Sequence, residues 1–353
     1  MDTEQQTAAV PAVAVKVGGS DLPAGAAADL LRVSVQERLD RPSSFTVELA
    51  NLDLNTQQLT WSDADLFDPG AVVEIQLGYG RTKRTVLIGE ITGLELSFPA
   101  HAKCLFTIRG HDRLHRFRRG RRTRSYVQAK DSEIAEKIAG DLGLGSDVQD
   151  SAEVHPYLLQ VNQTDIDFLL SRARAIGYEL FVDDRTLRFR KVGNAQGDVL
   201  TLSPTHGLLT FAAYLSTADQ VSSVIVRGWD AKAKQALVGK AEAADVTGTM
   251  NGSAVGPAVA DRLFGRRVLS VVEHPVATQN EADLLARAVL NEIALRYVRG
   301  RGTAVGDPDI RVGTVVRIEG AGSRFSGLYY ATQVTHVWDG AFVTHLDVRR
   351  NAT

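Results

Sequence analysis

The chain has 353 residues, with 40 Lys plus Arg against 42 Asp plus Glu, so its formal charge is -2. Hydrophobic residues at 44% and charged residues at 23% exclude wholesale disorder, and a length near 350 predicts roughly two to three domains with cores that need no staples. The near-neutral balance argues against a dedicated nucleic-acid binder while leaving room for a local basic patch.

The N-terminus, Met1-Asp2-Thr3-Glu4, is acidic and polar, and no apolar core with a small-residue cleavage site follows, so a secretory signal is not expected. The first hundred residues read as short strands. Val13 to Val17 carries Val at every second position. Leu30 to Gln36 alternates through Leu31, Val33 and Val35, and Ser44 to Leu49 through Phe45, Val47 and Leu49. Val72 to Tyr79, Thr85 to Leu94 and Lys103 to Arg109 follow, with turns such as Asp40-Arg41-Pro42 and Asp68-Pro69-Gly70 between them. Cys104, the single cysteine, excludes an intrachain disulfide or a cysteine zinc cluster and fits assembly in a reducing cytosol.

The middle changes character. Asp131 or Ser132 can cap a helix with Ile134, Ile138 and Leu142 on one face and Gly143 as its stop. Thr164-Asp165-Ile166-Asp167 opens a second helix in capping-box style, buries Ile166, Leu169, Leu170, Ala173 and Ile176, and ends at Gly177. Tyr178 to Val182 and Leu187 to Phe189 flank Asp183-Asp184-Arg185 as a hairpin. A strand from Val221 to Gly228 reopens the β pattern. Residues 229 to 262, rich in Ala, Gly, Lys, Thr and Ser, read as a long loop or extended arm. Thr278-Gln279-Asn280-Glu281 is a full capping box before a long helix, and strands from Thr314 to Ile318, Leu328 to Trp338 and Phe342 to Val348 close the chain. No run of about 18 apolar residues predicts a membrane-crossing helix.

One pattern occurs twice. Gly70-Ala71-Val72-Val73-Glu74-Ile75 matches Gly313-Thr314-Val315-Val316-Arg317-Ile318. Each is followed by a glycine turn (Gly78 and Gly80; Gly320 and Gly322), a basic residue, and a glycine read as opening the return strand (Gly89; Gly327). Either two ordinary hairpins share this much by chance, or one barrel is used twice.

Motifs for chemistry are scarce. No G-x-S-x-G, H-E-x-x-H, Walker loop or helix-opening G-x-G-x-x-G occurs, and Gly78-Tyr79-Gly80-Arg81 sits between strands, away from any helix N-terminus. The histidines are His101, His111, His115, His155, His206, His274, His336 and His345. His111 and His115 have helical ligand spacing, but the arginines around them disfavour a cation. His336 and His345 are expected to face one another across the last hairpin as a structural pair. Asp183 and Asp184 fit a turn, and Asp165 and Asp167 a helix N-terminus. The densest feature is basic: Arg109, Arg113, Arg116, Arg118, Arg119, Arg121, Arg122 and Arg124 crowd one stretch. Nucleic-acid binding is the sharp reading, with Phe117 and Tyr126 as the available stacking rings. A charged subunit contact or lumen lining is the plainer one.

Several segments together resemble phage late control protein D and VgrG-type spike proteins. Arg41-Pro42-Ser43-Ser44-Phe45-Thr46-Val47-Glu48-Leu49 is similar to their early strand pair, and Gly78-Tyr79-Gly80 with Leu87-Ile88-Gly89-Glu90-Ile91-Thr92 to their glycine turn and following strand. Gly110-His111-Asp112-Arg113-Leu114 and the arginines after it resemble the basic stretch before the family's first helix. Gln163-Thr164-Asp165-Ile166-Asp167-Phe168-Leu169-Leu170-Ser171-Arg172 with Gly177-Tyr178-Glu179-Leu180-Phe181 is the most specific match. Gly302-Thr303-Ala304-Val305-Gly306-Asp307-Pro308, Gly313 and Arg324-Phe325-Ser326-Gly327-Leu328-Tyr329-Tyr330 resemble the entry to the second barrel.

The resemblance covers nearly the whole chain. It implies an α+β, mainly β fold, with two related tube-like β-barrel domains flanking a small α/β insert. Residues 1–115 would form the first barrel, 116–210 the α/β unit, and 211–353 the second barrel with one long helix and an extended loop. The implied function is structural and non-enzymatic. A homotrimeric baseplate hub of a contractile phage tail or injection system would join a hexameric inner tube to a three-fold spike. Its partners would be itself, inner tube proteins, baseplate proteins and a separate spike protein, because the chain stops after the last barrel strand where VgrG-type chains continue. No cofactor, small-molecule substrate or membrane insertion is implied. Assembly would occur in the cytoplasm, before incorporation into the tail or a released particle. A peptidoglycan-degrading tail enzyme and a nucleic-acid-binding module acting through Arg109–Arg124 are the competing readings.

Overall fold

The computed structural model describes residues 10–53, 57–100, 103–194 and 200–353. Met1-Asp2-Thr3-Glu4 and His101 lie outside the described residues.

The first β run comprises β1 (Pro11–Val17), β2 (Leu30–Arg38), β3 (Ser44–Ala50), β4 (Val72–Tyr79), β5 (Thr82–Ser97) and β6 (Leu105–His111). These segments are strands because apolar residues recur at every second position, which puts them on one face of a pleated sheet. Val33, Val35, Phe45, Val47, Leu49, Val73, Ile75, Leu77, Phe106 and Ile108 are all buried in one core cluster. The run pairs antiparallel in the spatial order β2-β3-β6-β5-β4-β1.

An α/β unit follows. It holds β7 (Arg122–Lys130), α1 (Asp131–Asp141), β8 (Gly145–Val148), β9 (Val154–Gln163), α2 (Asp165–Ala175), β10 (Tyr178–Asp183) and β11 (Thr186–Lys191). Its own core joins Leu114 and Phe117 to Ile134, Ile138, Phe168, Leu169, Leu180 and Phe189. The Thr164 hydroxyl accepts a hydrogen bond from the Asp167 N–H and caps α2 as the sequence predicts, and Gly177 ends the helix at φ 70°.

The second β run begins with β12 (Leu200–Leu202) and β13 (Leu208–Leu215). It is interrupted by a second inserted unit: β14 (Ser223–Asp230), β15 (Gln235–Glu242), α3 (Gly256–Phe264), β16 (Val268–Val271) and α4 (Gln279–Ala294). It resumes with β17 (Val298–Val305), β18 (Val315–Ile318), β19 (Gly327–Trp338) and β20 (Phe342–Arg350). Its spatial order is β13-β17-β20-β19-β18-β12.

The two runs are one design used twice. In chain order β1, β2, β3, β4, β5, β6 correspond to β12, β13, β17, β18, β19, β20, and their neighbours in space correspond as well. Both bulges repeat. The pairing slips at Leu31 between Leu30 and Arg32 on β2, and at Leu209 between Leu208 and Thr210 on β13. It slips again at Thr92 on β5 and at Thr332 on β19. Entry into β4 and β18 is the same as well. Gly70, at φ 93°, donates its N–H to the Ile91 carbonyl at 2.8 Å, and Gly313, at φ 76°, donates to the Ala331 carbonyl at 2.9 Å. Only glycine takes that backbone without strain. The halves part company at their outer strand: β1 runs antiparallel to β4, whereas β12 runs parallel to β18.

Several expectations need correction. The fold is mainly β with helices, and among the described residues no closed barrel is present. Among the described residues, 13 strands, including the short Ser20–Asp21, join one continuous sheet because β2 pairs antiparallel with β19 and fuses the halves. Residues 229–262 do not form an extended arm: they carry the end of β14, all of β15 and most of α3, whose Val226, Leu237, Ala241 and Val259 are buried. Gly89 lies inside β5 rather than opening it. By register its counterpart is Tyr329, opposite Val316 as Gly89 is opposite Val73. The α1 N-cap is Lys130, whose N–H donates to Glu133, while the Asp131 carboxylate points elsewhere. His336 and His345 do not face one another. His336 sits opposite Thr344 and His345 opposite Thr335, one residue out of step and therefore on opposite faces.

Candidate functional site

The sheet is apolar on one face only. On the other, its strands present a continuous polar surface from β13 to β5, because the alternating positions are Thr210 and Tyr214, then Arg299, Arg301 and Thr303, His345, Asp347 and Arg349, Gln333 and Thr335, Ser34 and Gln36, Thr46 and Glu48, Thr107 and Arg109, and Glu95. Antiparallel sheets commonly leave one face to water. Here the face is broad and open, with Arg301 at 85% side-chain exposure. Neighbouring rows satisfy one another. Arg301 pairs with Asp347 at 3.2 Å, the Thr303 hydroxyl meets His345 Nδ1 at 3.0 Å, and Arg109 donates to Glu95 at 2.7 and 3.0 Å. A shallow groove of about 360 Å³ lies along this face, bordered by Arg301, Gln333, Thr335, His345 and Asp347. The signal was present in the sequence as the polar half of each strand's alternation, but nothing local says that so many polar rows lie side by side.

The structure disperses the eight arginines. Arg109 stands on the open polar face. Arg113, buried, reaches Asp184 at the β10–β11 turn, and Arg116 donates to the buried Glu90 carboxylate at 3.0 Å. Arg122 and Arg124 pair with Asp165 at the start of α2, and Arg124 also with Asp141 at 2.8 Å. Arg121 donates to the Asn162 carbonyl at 2.8 Å. Arg118 and Arg119 are exposed and have no ion-pair partner among the described residues. Arg113 and Arg116 therefore tie this stretch to the first β run through Glu90, whereas Arg121, Arg122 and Arg124 act within the α/β unit. His111 lies in β6 and His115 in the 3-10 turn Arg113–Arg118, their rings 6.2 Å apart, so the helical ligand spacing is not realised. Among the described residues no group of three or more His, Cys, Asp or Glu is placed to hold a metal ion.

The strongly perturbed titratable groups are buried in contacts between elements. His155 on β9 lies between Asp131 of α1, at 3.0 Å, and Glu281 of α4, with Arg172 of α2 at 3.0 Å. Burial opposes its charge, yet hydrogen bonds to Asp131 and Glu281 outweigh that and raise its pKa to about 9. The bulk of α4 and the second inserted unit are thereby tied to the first. Burial pushes Asp112 up to about 7 against the N–H groups of Ser43 and Leu114, which donate to it. Burial, with Arg311 nearby, lowers His336 to about 3. Glu179 is raised by burial and accepts from the Tyr330 hydroxyl and from Arg190, the latter at 2.8 Å. Glu90 and Tyr330 occupy equivalent positions in the two halves, and each reaches up to the α/β unit.

A family model described as the Alg8 N-terminal domain matches residues 7–339. No curated protein matches the chain. Among solved structures, the 43 kDa tail protein of prophage MuSo2 from Shewanella oneidensis is similar at TM-score 0.71 and 14% identity, covering 96% of this chain and 98% of that one. The tail protein from Neisseria meningitidis MC58 is similar at TM-score 0.68 and 15% identity, with 97% of each chain covered. An Escherichia coli component of the type VI secretion system is similar at TM-score 0.61 and 14% identity, covering 96% of this chain and 77% of that one. At such identities the likeness speaks for the fold.

Proposed function

The chain belongs to the family described as the Alg8 N-terminal domain and folds like phage tail proteins, and from that premise we propose that it is a structural hub at the baseplate of a contractile tail or contractile injection system. In this reading it is a homotrimer that joins a hexameric inner tube to a three-fold spike, and its partners are itself, tube, spike and baseplate proteins. It would assemble in the cytoplasm and leave in the finished particle. The observation that carries the reading is the duplicated half. Three chains with two equivalent sheet halves each present six similar surfaces, which is what a six-fold tube requires of a three-fold adaptor. The open polar face would line the lumen, with Arg109 among its charges, and Arg118 and Arg119 would meet other baseplate components.

The role is mechanical rather than catalytic. His155, Asp131, Glu179 and His336 are each engaged with neighbours of the same chain, a use of acid and base groups that serves packing. The solution mass of the purified protein tests the trimer: a species of three 38.2 kDa chains is expected, and a monomer at every concentration overturns it. Incubation with purified cell walls tests the peptidoglycan-cleaving alternative: loss of turbidity would overturn the non-enzymatic reading.

A further inference from the structure

The α/β unit carries apolar side chains on its outer face. β7 and β9 form a two-stranded ribbon that pairs with no further strand among the described residues. Its inner side faces α2: the Tyr126 ring stacks on Phe168 at 5.7 Å, and Gln160 Nε2 donates to Asp165 at 2.9 Å. The alternate positions point the other way. Val127 is 64% exposed, Tyr157 57%, Leu159 45% and Val161 54%. Val127 stands opposite Tyr157 and Ser125 opposite Leu159, so the four form one stripe with only Thr123 and Ser125 beside them. Exposed apolar residues gathered on one face mark an interaction surface.

The Val161 end of the stripe runs into positive charge. Arg121 donates to the carbonyl of Asn162, the residue after Val161, at 2.8 Å. Arg118 and Arg119 precede it across the turn at Gly120, which has φ 80°. All three arginines are exposed, and none has an ion-pair partner among the described residues. The other five of the arginine stretch differ: Arg109, Arg113, Arg116, Arg122 and Arg124 each meet a carboxylate of their own chain. The uncompensated charge is thus concentrated where the apolar stripe ends.

We propose that this surface docks an extended acidic segment of a different protein. Apolar side chains of that segment cover Val127, Tyr157, Leu159 and Val161, and carboxylates beyond them meet Arg118, Arg119 and Arg121. Charge complementarity selects the occupant. Another exposed apolar group of this chain, Leu263, Phe264 and Val268, is flanked by Arg262, Arg266 and Arg267, so it would bring like charge to the arginines. A nucleic acid would satisfy the arginines and leave Val127, Leu159 and Val161 uncovered. The segment is extended because the ribbon's outer strand edges lack a strand partner among the described residues, and an added strand presents side chains with the same period of two. The inference rests on the hub reading only for where the other protein sits, as a further baseplate component.

The probe is a fluorescent peptide with valine or leucine at alternate positions followed by a run of aspartates, titrated with the full chain and read by anisotropy. Its control carries lysines in place of the aspartates. The acidic peptide should bind with roughly tenfold preference at low salt, and the preference should shrink at about 1 M salt. Leu159→Ser should keep the far-UV circular dichroism and weaken binding of the acidic peptide roughly tenfold, through lost apolar cover. Arg118→Gln with Arg119→Gln should abolish most of the preference and leave the residual apolar binding. Equal binding of both peptides, unchanged binding by Leu159→Ser, or no binding at millimolar peptide overturns the proposal and leaves the hub standing. Loss of the three-chain mass in Leu159→Ser would assign the stripe to a contact between copies and overturn it as well. A single-chain mass for the unsubstituted protein, with the peptide preference intact, overturns the hub and keeps the docking surface.

Discussion

His155 is the residue on which two inserted units converge. It is almost wholly buried yet cationic, between Asp131, Glu281 and Arg172. Its pKa in the folded state, about 9, lies above the 6.5 expected when unfolded. The stability it contributes is therefore complete below about pH 6.5 and is lost as pH rises through 9. Asp112, raised to about 7, loses its contribution earlier in the same direction, and between pH 7 and 9 the slope belongs to His155. Unfolding free energy from urea titrations should fall by about 1.4 kcal/mol per pH unit there. His155→Gln should flatten that slope and lower stability at pH 6.5 by about 3 kcal/mol, since it leaves Glu281 without its cation and Asp131 with Arg172 alone. An unchanged slope in the variant would move the titration to another group.

At the level of elements, the two halves keep their strand register while exchanging the side chains that fill the core. In the first half Phe45 of β3 lies against Gly110 of β6, where an added Cβ would come within 2.2 Å of the ring. In the second, the counterparts are Gly300 and Val348, and the ring comes instead from Phe211 on β13, 2.8 Å from a Cβ placed at Gly300. Total volume is held while its source moves from one strand to another, which is how packed cores tolerate substitution. Gly110→Ala should destabilise the protein by about 2 kcal/mol, and Phe45→Leu added to it should recover part of that loss, a non-additivity expected of residues in contact. Denaturation midpoints of the single and double variants check it. Helix ends obey local rules: the Thr278 hydroxyl accepts the Glu281 N–H at 3.1 Å, and Thr278→Ala should cost about 1 kcal/mol in the same assay.

For the whole molecule, the exposed edge of β5 and the open polar face have different physical demands. An oligomer held by main-chain pairing and apolar cover should keep its mass at about 1 M salt, where screening reaches within about 3 Å. Dissociation under those conditions would point to a contact made by charges such as Arg118 and Arg119. Neutralising those two arginines should leave the purified oligomer intact and impair incorporation into particles; normal particle assembly by that variant would remove them from any contact with other components.

Local structure was legible from the residues. Alternation marks strands because a pleated chain has a period of two, and Thr164 and Gly177 mark helix ends because their side chain, or lack of one, acts on the adjacent backbone. The repeat of Gly70 and Gly313 also showed, since each requires a backbone that few residues take. What the residues could not declare is which distant strand lies next to which. The β2–β19 pairing turns two expected barrels into one sheet, and it joins residues about 300 positions apart, as Gln36 and Thr335 are. The same holds for the arginine stretch, whose partners Glu90, Asp165 and Asp184 come from three separate elements. Short-range backbone and side-chain preferences are written in neighbouring letters. Pairing, burial and charge compensation are set by whatever the folded chain brings alongside, and the open edges of β5 and β13 exist only at that level.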